Sequence, residues 1–282
     1  MMKNKTFKTF RVEEKEGQAW VTFDNPPVNI QDIPMINELN ILAEDLENDR
    51  TIKVVVFQSA HPEIFIAHAD TNFLKEMSTK AVAREHIGLL DLQKVLQRIS
   101  KLPQITVSKI EGFARGGGHE FALATDMRFA ARGKAVFMQM EVGMGILPCG
   151  GGSSRMARQI GLGRALEVIL SAKDFDADQA EAYGLINRAL DADKIGAFVE
   201  DLVNRMSQFN SDAIEAAKRT IYASIDLPIE EALKEEAYWL YQATSKSPAI
   251  KRFTLADDTG FQNDIENQRN FETLLMGLQG VN

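Results

Sequence analysis

The spacing of apolar side chains divides the chain into alternating strands and helices. Phe7 to Glu13 alternates apolar and polar residues, and Ala19 to Phe23 does so again beyond Glu16-Gly17, which predicts an antiparallel hairpin ended by Asn25-Pro26-Pro27. From Asp32 to Asn48 the apolar positions Ile33, Ile36, Leu39, Leu42, Ala43 and Leu46 recur at helical spacing, with Asp32 as N-cap and Pro34 tolerated in the first turn. Val54-Val55-Val56-Phe57 is a continuous apolar run, the mark of a strand covered on both faces. Strand, helix and strand in this order predict α/β architecture. Residues 61–77 read as a loop around a short apolar core, Ile64-Phe65-Ile66, followed by the small residues Ala67 and Ala69, which would let a ligand approach backbone amides. His86 to Lys101 reads as an amphipathic helix broken by Pro103, and Ile105 to Ile110 as a second buried strand.

That strand runs into Ile110 to Asp126, where three consecutive glycines, Gly116 to Gly118, turn the backbone and Glu120 to Thr125 carries helix formers. Strands at Met127 to Ala131 and Ala135 to Met138, joined by a Gly133-Lys134 turn, bring the chain back towards Glu141. A second glycine cluster, Pro148-Cys149-Gly150-Gly151-Gly152, precedes a helix over Ser153 to Ile160 for which Ser153 or Ser154 is the expected cap. Helices follow at Arg164 to Ser171 and Asp176 to Tyr183, the latter ended by Gly184, with a short strand at Leu185 to Ala189. From about Asp191 the pattern is helical throughout, over 191–208, 210–224, 229–246 and one or two further helices. Tyr238, Trp239 and Tyr241 offer large apolar area for packing within the chain or against a neighbouring subunit. The chain thus divides into an α/β core over 1–190 and a helical region over 191–282.

Composition narrows the classes of function. The 282 residues carry a formal net charge of −8, and Lys and Arg are scattered, which argues against nucleic acid as the main partner. A single cysteine, Cys149, allows no internal disulfide, fits a reducing cytosol, and reads as a small buried residue rather than a nucleophile. No window approaches the ~20 apolar residues of a membrane span, and the N-terminal stretch lacks the apolar core of a secretory signal. A soluble cytoplasmic protein is expected.

The candidate chemistry lies in the glycine stretch. Glycines at a helix start leave backbone N–H groups unpaired at the positive end of the helix dipole, where they can meet a developing negative charge. Glu120 stands three residues after Gly117, close enough for a carboxyl and a bare amide to share one small volume. The same residues also describe a mere tight turn that lets a helix pack closely. A nucleotide-binding loop is excluded because no Lys-Ser/Thr pair follows the glycines. A zinc-protease helix is excluded because no second histidine follows His119-Glu120 at the required spacing, and no metal is expected.

Four segments in this order carry a family resemblance: Asn25-Pro26-Pro27-Val28-Asn29; Phe65 to Asp70; Gly112 to Glu120; and Phe137 to Gly145 with Pro148 and Gly150 to Gly152. Over about Phe10 to Leu190 the chain resembles the crotonase superfamily, the enoyl-CoA hydratase/isomerase group. The resemblance implies a spiral of ββα repeats with a C-terminal all-helical region used in homotrimers, often paired into homohexamers. It also implies an acyl-CoA thioester substrate, with coenzyme A as part of that substrate and no tightly bound cofactor. Matching the motifs places two oxyanion-holding amides at Ala69 and Gly117, two catalytic glutamates at Glu120 and Glu141, and substrate-contacting positions at Ala67, His68, Asp70 and Gly116. Retention of both glutamates resembles the hydratases, which add water to a trans-2-enoyl-CoA; isomerase, hydrolase or C–C lyase chemistry on this fold, or a non-catalytic acyl-CoA-binding scaffold, are the alternatives. Four departures stand out. His68 replaces a glycine usual beside the first oxyanion amide, and Met140 replaces a proline before the second glutamate. Thr71 and Asn72 stand where many relatives carry a lysine near the CoA phosphates, a role open to Lys75 if its segment is helical. The tail from Thr259 lacks the basic pattern by which many relatives reach a neighbouring subunit's CoA.

Overall fold

The computed structural model describes residues 5–75 and 80–280; the end of the expected 61–77 loop falls partly outside the described residues. Two compact units divide after Ser207, Met1–Ser207 and Gln208–Asn282. Among the described residues no helix is long and apolar enough to cross a membrane.

The first unit opens with the expected hairpin, β1 (Phe10–Lys15) against β2 (Gln18–Phe23), antiparallel with Val12 opposite Val21. Helix α1 (Ile33–Glu47) begins where Asp32 accepts a hydrogen bond from Met35 N–H, so the cap read from sequence closes the first turn. Thereafter the chain repeats one motif. Strands β3 (Val54–Ser59), β5 (Ile105–Ile110) and β7 (Met127–Ala131) each feed a short second strand, β4 (Ile64–Ile66), β6 (Phe113–Arg115) and β8 (Val136–Met138), before a helix returns the chain. Parallel neighbours need such crossovers. Because each repeat gives one strand to each sheet, the long strands line up as β1-β2-β3-β5-β7-β10. The short ones align as β4-β6-β8-β9, with β9 (Phe175–Asp176) and β10 (Arg188–Leu190) completing the two sheets. This succession is the ββα spiral.

The returning helices are α2 (Thr71–Lys75), α3 (Asp91–Ser100), α4 (Gly117–Ala124), α5 (Gly152–Ile160), α6 (Leu162–Ser171) and α7 (Ala177–Tyr183). Four buried phenylalanines lock α4 to the strands. The ring of Phe121 lies 5.0 Å from Phe57 and 5.2 Å from Phe23, both edge-on, and 6.2 Å from Phe65. Edge-to-face contacts of this kind add to the area each ring buries. The residue that precedes this anchor is Glu120, so core packing sets where that carboxyl points.

Three expectations need correction. The helix expected from His86 begins only at Asp91: Arg84–His86 is a single tight turn, and Gln93 Oε1 accepts the Leu90 N–H to set the later start. Neither Ser153 nor Ser154 caps α5; Gly151 holds the cap position without a side-chain bond. The strand expected over Leu185 to Ala189 pairs instead over Arg188–Leu190, since Leu185 N–H is taken by Ala180 O at the end of the preceding helix. The helix α8 (Ile195–Met206), read from sequence as the start of the helical region, belongs to the first unit, with Ile195, Val199 and Val203 buried. The second unit contains α9 (Ser211–Asp226), α10 (Ile229–Lys246), α11 (Ala249–Asp258), α12 (Ile265–Arg269) and α13 (Phe271–Gly277), with α9 and α10 packed on each other.

Candidate active site

The site is assembled from four loops. The first is the Asn-Pro-Pro-Val-Asn turn after β2. Asn29 Oδ1 accepts from Asn25 N–H at 2.8 Å, and its Nδ2 donates to Ser59 Oγ at 2.8 Å and Phe65 O at 3.2 Å. One buried amide therefore pins this turn to the ends of β3 and β4. The chain then delivers Gln31 beside the second loop, where Gln31 N–H donates to His68 O at 2.9 Å and Asp70 N–H donates to Gln31 O at 3.0 Å. Gln31 thus bridges Ala69 in parallel, using the groups on either side of it. The N–H of Ala69 is left facing away from that bridge, because alternate residues of an extended segment present their N–H groups to opposite edges.

The glycine stretch forms the third loop. Gly116 adopts φ +47°, a conformation side chains rarely take, and a Cβ there would lie 2.9 Å from Glu141 Oε1 and 3.5 Å from His68 Cβ. Gly117 opens α4, so its N–H has no acceptor within the helix. A Cβ on Gly117 would come 2.9 Å from Ala69 N and 3.1 Å from Ala69 Cβ. Glycine at this position is therefore what lets the two backbones approach. Among the described residues neither the Ala69 nor the Gly117 N–H meets an acceptor.

The two carboxyls come from α4 and from the turn after β8. Glu120 is buried, and its Oε1 accepts from Gly150 N–H at 2.7 Å and Gly152 N–H at 2.8 Å. Gly152 is the first residue of α5, so in place of a serine cap the orphan N–H of that first residue is satisfied by the site's own carboxyl. Burial pushes the Glu120 carboxyl above its ordinary value, opposed by those two N–H groups and by the charge of Arg155. Glu141 is half-buried, and its pKa is raised to about 7, by burial first and with the charge of Glu120 adding to it. Rotated to satisfy its surroundings, the buried amide of Gln139 donates to Glu141 Oε2 at 2.9 Å. Cys149 lies in the fourth loop between these groups, its thiol pushed up by burial and then by the charges of Glu120 and Glu141, so it stays neutral. Among the described residues no group of three or more His, Cys, Asp and Glu is placed to hold a metal ion.

Two unpaired amides beside two electrostatically coupled carboxyls, on a double-sheet spiral, can be set against known proteins. The sequence profile of the enoyl-CoA hydratase/isomerase family matches residues 13–261. The chain belongs to the enoyl-CoA hydratase/isomerase family. It is 31% identical over 226 residues to a short-chain-enoyl-CoA hydratase of Clostridium acetobutylicum, covering 79% of this chain and 85% of the relative. To a crotonyl-CoA hydratase of Syntrophomonas wolfei it is 29% identical over 226 residues, with the same coverage of 79% and 85%. The crystal structure of an enoyl-CoA hydratase from Geobacillus kaustophilus superposes with a TM-score of 0.83 at 26% identity, covering 91% of this chain and 96% of that one. The crotonase fold expected from the sequence is therefore the fold of this family member.

Within this family member, Ala69, Gly116, Gly117 and Glu141 come together, and Glu120 and Glu141 are close enough to feel each other's charge. Ala67 is half-buried in the same loop. His68 Nδ1 is bonded to Ala69 O at 2.8 Å, which fixes the ring against the backbone of the loop. Asp70 Oδ1 accepts from Asn72 N–H at 2.9 Å and so turns the chain into α2, whose last residue is Lys75. His119, next to Glu120, packs on the ring of Phe137 at 5.3 Å, and burial lowers its pKa to about 3, keeping it neutral. Sequence reasoning did not single out Gln31, Gln139 or the Gly150 and Gly152 amides as site groups. Neither glutamine carries a local signal in the sequence that would have found it.

Proposed function

We infer that this enzyme hydrates a trans-2-enoyl-CoA thioester to the 3-hydroxyacyl-CoA, with Ala69, Gly117, Glu120 and Glu141 as its working groups. The observation that carries the reading is the approach of the Gly117 and Ala69 backbones next to two coupled glutamates. The thioester oxygen lies between the Ala69 and Gly117 N–H groups and takes up charge as water bonds to C3; losing one such donor typically costs about 3 kcal/mol. Glu120, with Oε1 held by two amides, presents Oε2 to the water and accepts its proton. Glu141, poised to hold a proton near neutrality, delivers it to C2 and collapses the enolate. Water thus supplies the hydroxyl at C3, the hydrogen at C2 comes from Glu141, and exchange with solvent returns the pair to its starting protonation. The pair titrates as a unit, so the two roles belong to a shared proton as much as to either residue.

CoA itself is the handle of the substrate, with Lys75 on α2 as the cation for its phosphates. Self-association into trimers, or trimers paired into hexamers, and a cytoplasmic location belong to the same reading. Exposed Ile221, Ile225, Ile229, Leu233 and Tyr241 in the second unit support the first of these. The test is incubation with a short trans-2-enoyl-CoA followed by mass spectrometry. Gain of one water that disappears in Glu120→Gln and Glu141→Gln is expected; thioester loss, double-bond migration without water gain, or equal rates in all three proteins would refute it.

A further inference from the structure

One side chain beside the oxyanion amides is unaccounted for by this mechanism. Gln31 is 1% exposed, yet neither end of its carboxamide meets a hydrogen-bond partner among the described residues. Its backbone is fully engaged, through His68 O and Asp70 N–H. The position of the side chain follows from Gly117: the point a Cβ would occupy there is 2.4 Å from Gln31 Oε1 and 2.9 Å from Ala69 N. The carboxamide therefore lies at the junction of the two backbones whose N–H groups are read as the oxyanion site. A buried amide left unpaired is costly, and a chain that keeps one beside its reacting centre offsets the cost when a ligand group arrives. The turn that delivers Gln31 is itself pinned by Asn29, which fixes the backbone from which the side chain reaches this junction.

We propose that Gln31 is a third donor to the thioester oxygen, its Nε2–H reaching the same atom as the Ala69 and Gly117 N–H groups. This rests on the reading of those amides as the oxyanion site. A carbonyl oxygen in the ground state is satisfied by two donors; as it gains charge in the enolate a third becomes worth more, so the contribution is made chiefly in the transition state. No protein hydrogen bond holds the carboxamide in either orientation, so exchanging its Oε1 and Nε2 breaks none.

The test combines kinetics, spectroscopy and stability in Gln31→Met, which keeps the length of the side chain and removes the donor, and in Gln31→Glu. Isotope-edited infrared spectra of a bound saturated acyl-CoA, labelled with ¹³C at the carbonyl, read the number and strength of donors without any hydration step. For Gln31→Met we expect kcat for enoyl-CoA hydration to fall about 10- to 100-fold with KM within about twofold. The carbonyl band should move to higher wavenumber than in wild type, and Tm should equal or exceed the wild-type value because an unpaired polar group has been removed. For Gln31→Glu the introduced carboxyl should depress kcat at pH 8 and partly restore it as falling pH protonates it into a donor. Wild-type kcat with an unmoved band in Gln31→Met overturns the proposal, as does a lowered Tm with kcat and KM changing together and no band shift. A wild type that adds no water but shows the Gln31-dependent band would sink the hydratase reading while leaving the third donor standing.

Discussion

Replacing Glu141 by Gln should abolish turnover and, above neutral pH, make the protein more stable. The folded state raises the Glu141 pKa from 4.5 to about 7, chiefly by burial and with the Glu120 charge adding to it. Between those two values the folded chain binds a proton that the unfolded chain has released. Stability must therefore fall as pH rises through that window, and above it the full cost of holding an ionised carboxyl in the site is present. At full burial a displacement of that size corresponds to about 3 kcal/mol. Glu141 keeps part of its surface in solvent, so screening reduces the expected cost to roughly 1–2 kcal/mol. Gln carries no charge at any pH, and its carbonyl oxygen can still accept from Gln139. The variant should melt about 2–5 °C above wild type at pH 8 and match it near pH 4.5, read by scanning fluorimetry in paired buffers. Hydration by the wild type should decline as pH rises past about 7, where the proton meant for C2 is lost. A Gln variant no more stable than wild type at pH 8, or a stability difference that does not depend on pH, would refute the assignment of a raised, coupled carboxyl to this position.

Two further predictions test the scaffold. Gly117→Ala puts a methyl 2.4 Å from Gln31 Oε1 and 2.9 Å from Ala69 N; the side chain can move but the backbone must be displaced, so kcat should fall about 100-fold while the circular dichroism spectrum is kept. Phe121→Ala removes the ring shared by Phe23, Phe57 and Phe65 and should cost about 3–5 kcal/mol in urea unfolding; a loss below about 1 kcal/mol would show that the core does not depend on it.

The elements legible in the sequence are those whose evidence is local. Ile105–Ile110 and Met127–Ala131 read from their own apolar runs, and α1 from its helical period with Asp32 as its cap. The glycine turn announced an exposed helix N-terminus, and the order of four motifs announced the family. Strands β6 and β9, of three and two residues, carry no period long enough to detect and exist only because a neighbouring strand supplies partners. The cap of α5 could not be read from Ser153 or Ser154, because the group that uses the donor of its first residue is Glu120, 32 positions earlier in the chain. Gln31 and Gln139 look ordinary in sequence; burial and the company of Gly117 and Glu141 make them part of the site.

The sequence alone determined the longer extended and helical segments and the glycine turn, since periodicity and capping act over a few residues. Tertiary structure decided which loops meet, which carboxyl is buried and which amide is left without a partner. Those properties arise between residues far apart in the chain, through packing, desolvation and charge, and no short stretch of sequence contains them.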